Sequence, residues 1–177
     1  AYNSFRDQYN AIPGDFNAAV ARISTCGAAV VSCFDGTGDG LIGANVGVAG
    51  AAAAANAAGE PANFFGHLLA AGLITSMDGT AAVSFGNAFP TAPIGGGYLV
   101  GDTRIAGAST GFNEAEMRPG VYVVLNGVTG VVAATSGVLT PQQAANIDRR
   151  LDDGIPNAGT IIGDNFAASC RAGAGGA

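Results

Sequence analysis

The stretch Tyr2-Asn-Ser-Phe-Arg-Asp-Gln-Tyr-Asn-Ala-Ile-Pro-Gly-Asp15 decides the fold, because its apolar residues are spaced as on one face of a helix. Tyr2, Phe5, Tyr9 and Ile12 follow one another at intervals of 3, 4 and 3 residues. The stripe continues at Phe16, Val20 and Ile23. No capping residue or turn signal precedes Tyr2, so we expect the helix to continue upstream of this sequence.

Pro13 interrupts the stripe, since proline removes a backbone hydrogen bond and clashes with the preceding turn. The apolar residues nevertheless keep their phase across it, which favours a kink slightly over a full break. The sequence therefore predicts a helix over residues 1–25 that bends at Pro13-Gly14.

Two shorter helices have clear boundaries. Pro61 suits the first turn of a helix near residues 60–71, and Gly72 suits its left-handed end. Thr140-Pro-Gln-Gln143 has the form of a capping box, and Gly154 ends the helix that follows. The predicted buried face of that second helix consists of Ala144, Ile147 and Leu151.

Between these helices the apolar pattern changes to that of strands. We predict strands at residues 81–85, 98–100, 121–125 and 128–132, the last two joined by a hairpin turn at Asn126-Gly127, and a further short strand at 160–162. The fold class is α+β: a long N-terminal helix packed on a small, mostly antiparallel sheet, with two shorter helices.

Several motifs together resemble bacterial type IV pilin-like proteins, which include pilins and type II secretion pseudopilins. Tyr-x-Ala-Ile-Pro-Gly-Asp, at residues 9–15, resembles the end of their long first helix. The segments 35–40, 60–74 and 147–156 follow in the order found in that family. The resemblance implies one pilin-like domain over residues 1–177, with residues 1–25 the C-terminal part of the long helix.

The resemblance also implies a function, that of a structural subunit in an extracellular type IV pilus-like or pseudopilus filament rather than an enzyme. The partners would be copies of the chain or other pilins, and the inner membrane before assembly, through the N-terminal helix segment missing from this sequence. The resemblance implies that the protein is located in a cell-surface filament or in a periplasmic pseudopilus. The residues that would seat the helix on the domain are Tyr2, Phe5, Tyr9 and Ile12.

Composition excludes some partners. Charged residues make up 11% of the chain, the net charge is −6, and lysine is absent. Without a basic patch, nucleic acid and anionic membrane surfaces are not expected to bind. A surface poor in charge can instead pack against copies of itself. His67, the only histidine, sits among phenylalanines and leucines, which indicates packing rather than catalysis.

The segment Asp35-Gly-Thr-Gly-Asp-Gly40 resembles the first half of a calcium loop. Val46 replaces the glutamate that would end an EF-hand loop, so a distant carboxylate would have to complete the site. The candidate Ca²⁺ ligands are Asp35, Thr37, Asp39, the Leu41 carbonyl and Glu60. A plain aspartate-glycine turn is the alternative. Bound calcium would favour a second function, a calcium-stabilised extracellular adhesive or binding module that does not polymerise.

Asp152 and Asp153 face the negative end of a helix dipole, which is unfavourable without compensation. Arg149 and Arg150, amide protons of the 154–160 loop, or a bound ion are the candidate compensating groups.

The three cysteines could all be free and buried, or two of them could form a disulfide in an extracellular chain, for which there are two main pairings. By the chain-entropy estimate, a bond between Cys33 and Cys170 would stabilise the fold by about 5 kcal/mol, and a bond between Cys26 and Cys33 by about 2.5 kcal/mol. Entropy therefore favours the long link. We predict the short link, because the glycine-rich segment after Arg171 indicates a poorly anchored tail around Cys170. The bond would pin the loop that carries Asp35 and Asp39.

Overall fold

The computed structural model describes residues 1–27, 29–30, 32–43, 59–80, 82, 84–104, 118–129, 137–155 and 158–163. Within these ranges the fold is α+β, with four helices and one two-stranded antiparallel sheet. In chain order the elements are α1 (Tyr2–Tyr9), α2 (Ala19–Arg22), α3 (Glu60–Ala70), β1 (Gly97–Asp102), β2 (Val121–Asn126) and α4 (Pro141–Leu151). Cys170, Val46 and part of the predicted strands 81–85 and 128–132 lie outside the described residues.

The prediction of one helix over residues 1–25 is wrong, because the helix breaks instead of bending at Pro13. α1 ends at Tyr9, and Asn10 adopts the left-handed conformation with φ of 52°. Asparagine tolerates that conformation better than most residues. Gly14 also has a positive φ, of 93°. These two residues turn the chain, and helix resumes in the four residues of α2.

The apolar stripe is nevertheless a correct burial pattern for most of its length. Phe5, Phe16 and Ile23 are buried in one core, although the chain between them is not helical throughout. Tyr2, Tyr9 and Ile12 pack against this core and are partly buried. Val20 departs from the pattern, with 49% of its surface exposed.

α3 forms as predicted and is the most buried helix of the described chain. Its C-terminal end matches the predicted glycine cap: Gly72 has φ of 71° and donates to the Leu69 carbonyl. The Leu73 amide then donates to the Leu68 carbonyl, so two carbonyls that the helix leaves free gain partners.

β1 and β2 confirm the predicted strands at 98–100 and 121–125. They pair antiparallel, with Gly97 opposite Asn126 and Asp102 opposite Val121. Leu99 and Val100 join the core, and β1 packs against α3. The predicted partner of β2 across Asn126-Gly127 runs into residues outside the described ranges, and Phe85 makes an isolated bridge with Phe89.

α4 begins with the predicted capping box, in which Thr140 and Gln143 exchange hydrogen bonds. Its predicted buried face is wrong: Ile147 and Leu151 are 37% and 73% exposed, and Asp148 is the buried residue of the helix. Apolar periodicity cannot identify a buried position that a carboxylate occupies. Residues 160–162 form bends and coil rather than the predicted strand.

Candidate functional site

Two carboxylates from other parts of the chain hold residues 35–43, which we call the glycine-aspartate loop. The first is the buried Asp15, directly after the Pro-Gly turn. Its Oδ1 accepts the Asp39 amide at 2.9 Å and lies 3.1 Å from the Thr37 hydroxyl oxygen. Its Oδ2 accepts the Gly40 amide at 2.9 Å. The chain segment after α1 therefore binds the loop through one side chain.

Glu60 is the second carboxylate, and α3 places it against the same loop. Its Oε1 accepts both the amide and the hydroxyl of Thr37, at 2.9 and 2.8 Å, and its Oε2 accepts the Gly43 amide at 2.6 Å. Burial raises the pKa of Glu60 above its ordinary value, although the hydrogen bonds from Thr37 and Gly43 oppose that effect. The charge of Asp15 adds to the increase.

The carboxylates of the loop itself are engaged with backbone amides. Asp35 Oδ1 accepts the Val20 amide, and Asp39 Oδ1 accepts the Leu41 amide two residues on, each at 2.9 Å. The structure brings Glu60 and Thr37 together, as the calcium prediction required. Among the described residues, however, Asp35, Asp39 and Glu60 do not place one oxygen each within 4.8 Å of one another. The geometry matches the alternative of a hydrogen-bonded turn, and calcium at this loop stays a prediction.

An ion pair ties the end of β1 to the loop. Arg104 bonds both carboxylate oxygens of the buried Asp102, and its guanidinium also donates to the Gly40 carbonyl at 2.8 Å. Burial acts to raise the pKa of Asp102, but the hydrogen bonds and charge of Arg104 outweigh it, so the pKa is lowered.

His67 is fully buried on α3 and joins the segment after α1 to the start of the loop. The Gly14 amide donates to Nδ1 at 2.9 Å, so the proton lies on Nε2, which donates to the Phe34 carbonyl at 2.6 Å. Burial lowers the pKa of His67 to about 4, and it is therefore neutral at pH 7. Its ring stacks on Phe5 of α1, with centroids 5.8 Å apart. With both nitrogens engaged, His67 holds the structure together and offers no free base.

Asn63 repeats this bridging role one turn earlier on α3. Its Oδ1 accepts the Phe34 amide, and its amide group donates to the carbonyls of Gly14 and Phe34. Both polar side chains thus fix the same two chain segments.

The predicted Cys26–Cys33 disulfide is confirmed, with Cα atoms 5.0 Å apart. Both cysteines are buried, and their sulfurs lie within 4.8 Å of a His67 nitrogen. A metal would require thiolates, so the disulfide excludes a site of these three residues.

A second group of carboxylates lies at the end of α4, and we call Asp148, Asp152 and Asp153 the acidic cluster. Each places one oxygen within 4.8 Å of the others. Amides of the following loop, one of the three candidate compensating groups, donate to them. The donors are Gly154 to Asp148, Ile155 to Asp153, and Thr160 and Ile161 to Asp152. Arg149 and Arg150 form no ion pair with the acidic cluster in the part of the chain that the structure describes.

The roles of four residues were not predicted from the sequence: Asp15, Asp102, Arg104 and Asp148. Asp15 had a local signal, since it ends a Pro-Gly-Asp turn where a carboxylate can accept amide protons. The other three act through partners that local patterns do not reveal.

Comparison with known proteins adds no assignment: no protein-family model, no curated protein and no solved structure matches the chain. Among the described residues, no helix has the length and apolar character needed to cross a bilayer.

Proposed function

We propose that the chain is the globular domain of a structural subunit in an extracellular pilus-like or pseudopilus filament. The observation that carries the proposal is the attachment of α1. Phe5 is 0% exposed and contacts Phe16, Tyr9 and His67, while Tyr2 stacks on Phe64. In a filament built through such a helix, the helix must be fixed to the domain it carries.

The residues that carry the resemblance to pilin-like proteins take part in this attachment. Asp15 binds the glycine-aspartate loop. A Cβ on Gly14 would lie 2.8 Å from the Glu60 carbonyl oxygen, so only glycine allows α3 to approach. The shared motif thus has a physical role, which is to join α1 to the loop and to α3. We extend the proposal to a pilin-like fold in which α1 is the end of a longer helix.

The surface beside α1 offers a contact region for a second subunit. A shallow groove of about 490 Å³ is lined there by residues that include Tyr9, Ile12 and Arg22. The Arg22 guanidinium lies 5.9 Å from the centre of the Tyr9 ring. Aromatic and arginine side chains are the types enriched in protein interfaces. The disulfide supports an oxidising compartment, which fits a cell-surface filament or a periplasmic pseudopilus.

Electron microscopy of cells that produce the natural protein tests this proposal. Gold-labelled antibodies against residues 1–177 should decorate filaments along their length. The Phe5→Ala variant should lose filaments because α1 is no longer fixed to the domain. The Ser4→Ala variant, which changes an exposed residue of α1, should retain them.

The opposite result is gold on the cell surface without filaments in the unaltered protein. That outcome would reject the filament and favour the second candidate, a calcium-stabilised adhesive module. The acidic cluster favours this second candidate, because carboxylate oxygens are ligands for calcium.

A further inference from the structure

The acidic cluster has an electrostatic imbalance. Three carboxylates crowd within 4.8 Å at the C-terminal end of α4, where the helix dipole is also negative. The backbone amides that bond to them reduce this repulsion without supplying a full positive charge. A cation at this point would be attracted by the carboxylates and by the helix end together.

Asp148 supplies an independent indication of a ligand. Its side chain is the buried one of the cluster, with 4% of the residue exposed. Within the described ranges, its Oδ2 has no hydrogen-bond partner, and its Oδ1 accepts one amide at 3.3 Å. Buried carboxylate oxygens in folded proteins normally have partners, so an unpartnered one beside two other carboxylates points to an ion.

The loop after α4 is shaped to hold the cluster in place. Gly159 has φ of 77°, and a Cβ there would lie 2.1 Å from Asp152 Oδ2. Glycine at this position therefore lets residues 158–161 close over the carboxylate, where the Ile161 amide donates to it at 2.7 Å. Asp152 is thus held between the helix end and the returning chain.

We infer that Asp148, Asp152 and Asp153 bind a calcium ion. Carboxylate oxygens are ligands for hard cations, and calcium accepts flexible geometry with six to eight oxygens, where magnesium demands a near-ideal octahedron. The amide hydrogen bonds use one oxygen of each carboxylate, so the other oxygen can still bind the ion. Carbonyl oxygens of the last turn of α4 and water are available for the remaining positions. This site is distinct from the glycine-aspartate loop and does not depend on the filament proposal.

Isothermal titration and thermal unfolding of the 177-residue chain in calcium chloride, after removal of metal with EDTA, test the inference. The titration should show one site. The melting temperature should rise by about 5–10 °C when free calcium is about 100 times the dissociation constant. Asp148→Asn should abolish both effects. Without calcium this variant should melt no lower than the unaltered protein, because it removes an unpartnered buried charge.

Asp39→Ala is the matched control, since it removes a carboxylate of the glycine-aspartate loop and leaves the cluster intact. It should keep the full calcium response. The inference fails if calcium has no effect on the unaltered protein at millimolar concentration. It also fails if Asp148→Asn keeps the response, and loss of the response in Asp39→Ala alone would move the ion to the loop.

Discussion

The region around α3 and the end of α4 differ in how their buried carboxylates find hydrogen-bond partners. Around α3, the carboxylates of Asp15 and Glu60 accept several hydrogen bonds each from the glycine-aspartate loop. At the end of α4, Asp148 Oδ2 has no partner within the described residues, and apolar side chains face solvent. The carboxylates of the first region are satisfied by hydrogen bonds from their own chain. The second region combines an unpartnered carboxylate oxygen with exposed apolar side chains, which are features of a surface that binds a ligand or a partner.

Truncating a large apolar side chain in each region should give the greatest difference. Phe5→Ala should lower the free energy of unfolding by about 3–5 kcal/mol, because it leaves a cavity beside His67 and Phe16. Leu151→Ala, at a residue that is 73% exposed, should change it by less than about 0.5 kcal/mol. Urea unfolding followed by circular dichroism measures both. Similar losses in the two variants would mean that the α4 end is packed as tightly as the core.

The same contrast explains what the sequence could predict. The boundaries of α3 and α4 were predictable, because their caps depend on residues within one turn, such as Thr140 with Gln143 and Gly72 with Leu69. The Cys26–Cys33 bond was predictable because the glycine-rich sequence after Arg171 indicates a poorly anchored tail around Cys170.

The break after α1 was not predictable from local pattern, because its cause lies far along the chain. The apolar residues from Phe5 to Ile23 have the spacing of one helix face, but a chain that turns between them buries them equally well. The turn is favoured by Asp15 meeting amides 24 and 25 residues later and by Gly14 meeting His67. The burial of Asp148 in place of Ile147 has the same origin, since it depends on a loop that returns to the end of α4.

Acid should weaken the α3 region through His67. Its pKa is about 4 in the folded chain against 6.5 in the unfolded chain, so the folded state binds fewer protons between these values. The stabilisation is complete above pH 6.5, falls as the pH drops towards 4, and shows no further loss from this group below that. The total is about 3 kcal/mol.

Urea unfolding at intervals across this pH range, compared with a His67→Gln variant, isolates the effect. Glu60, whose pKa is raised, contributes a pH dependence of the opposite sign in both proteins, and the difference between them removes it. A difference that stays constant with pH would show that His67 does not titrate as a buried neutral group.

The smallest expected effect distinguishes Asp15, whose carboxylate holds the glycine-aspartate loop, from Asp39, which is a residue of that loop. Asp15→Asn replaces one carboxylate oxygen by an NH₂ group, which must then face the backbone amide of Asp39 or that of Gly40. Two donors in contact cannot bond, and the charge that strengthened the remaining bonds is lost, so we expect a loss of about 2 kcal/mol. Asp39→Asn keeps an oxygen for the Leu41 amide at an exposed position and should cost less than about 0.5 kcal/mol. Equal losses from chemical denaturation of the two variants would mean that Glu60 and Arg104 hold the loop without Asp15.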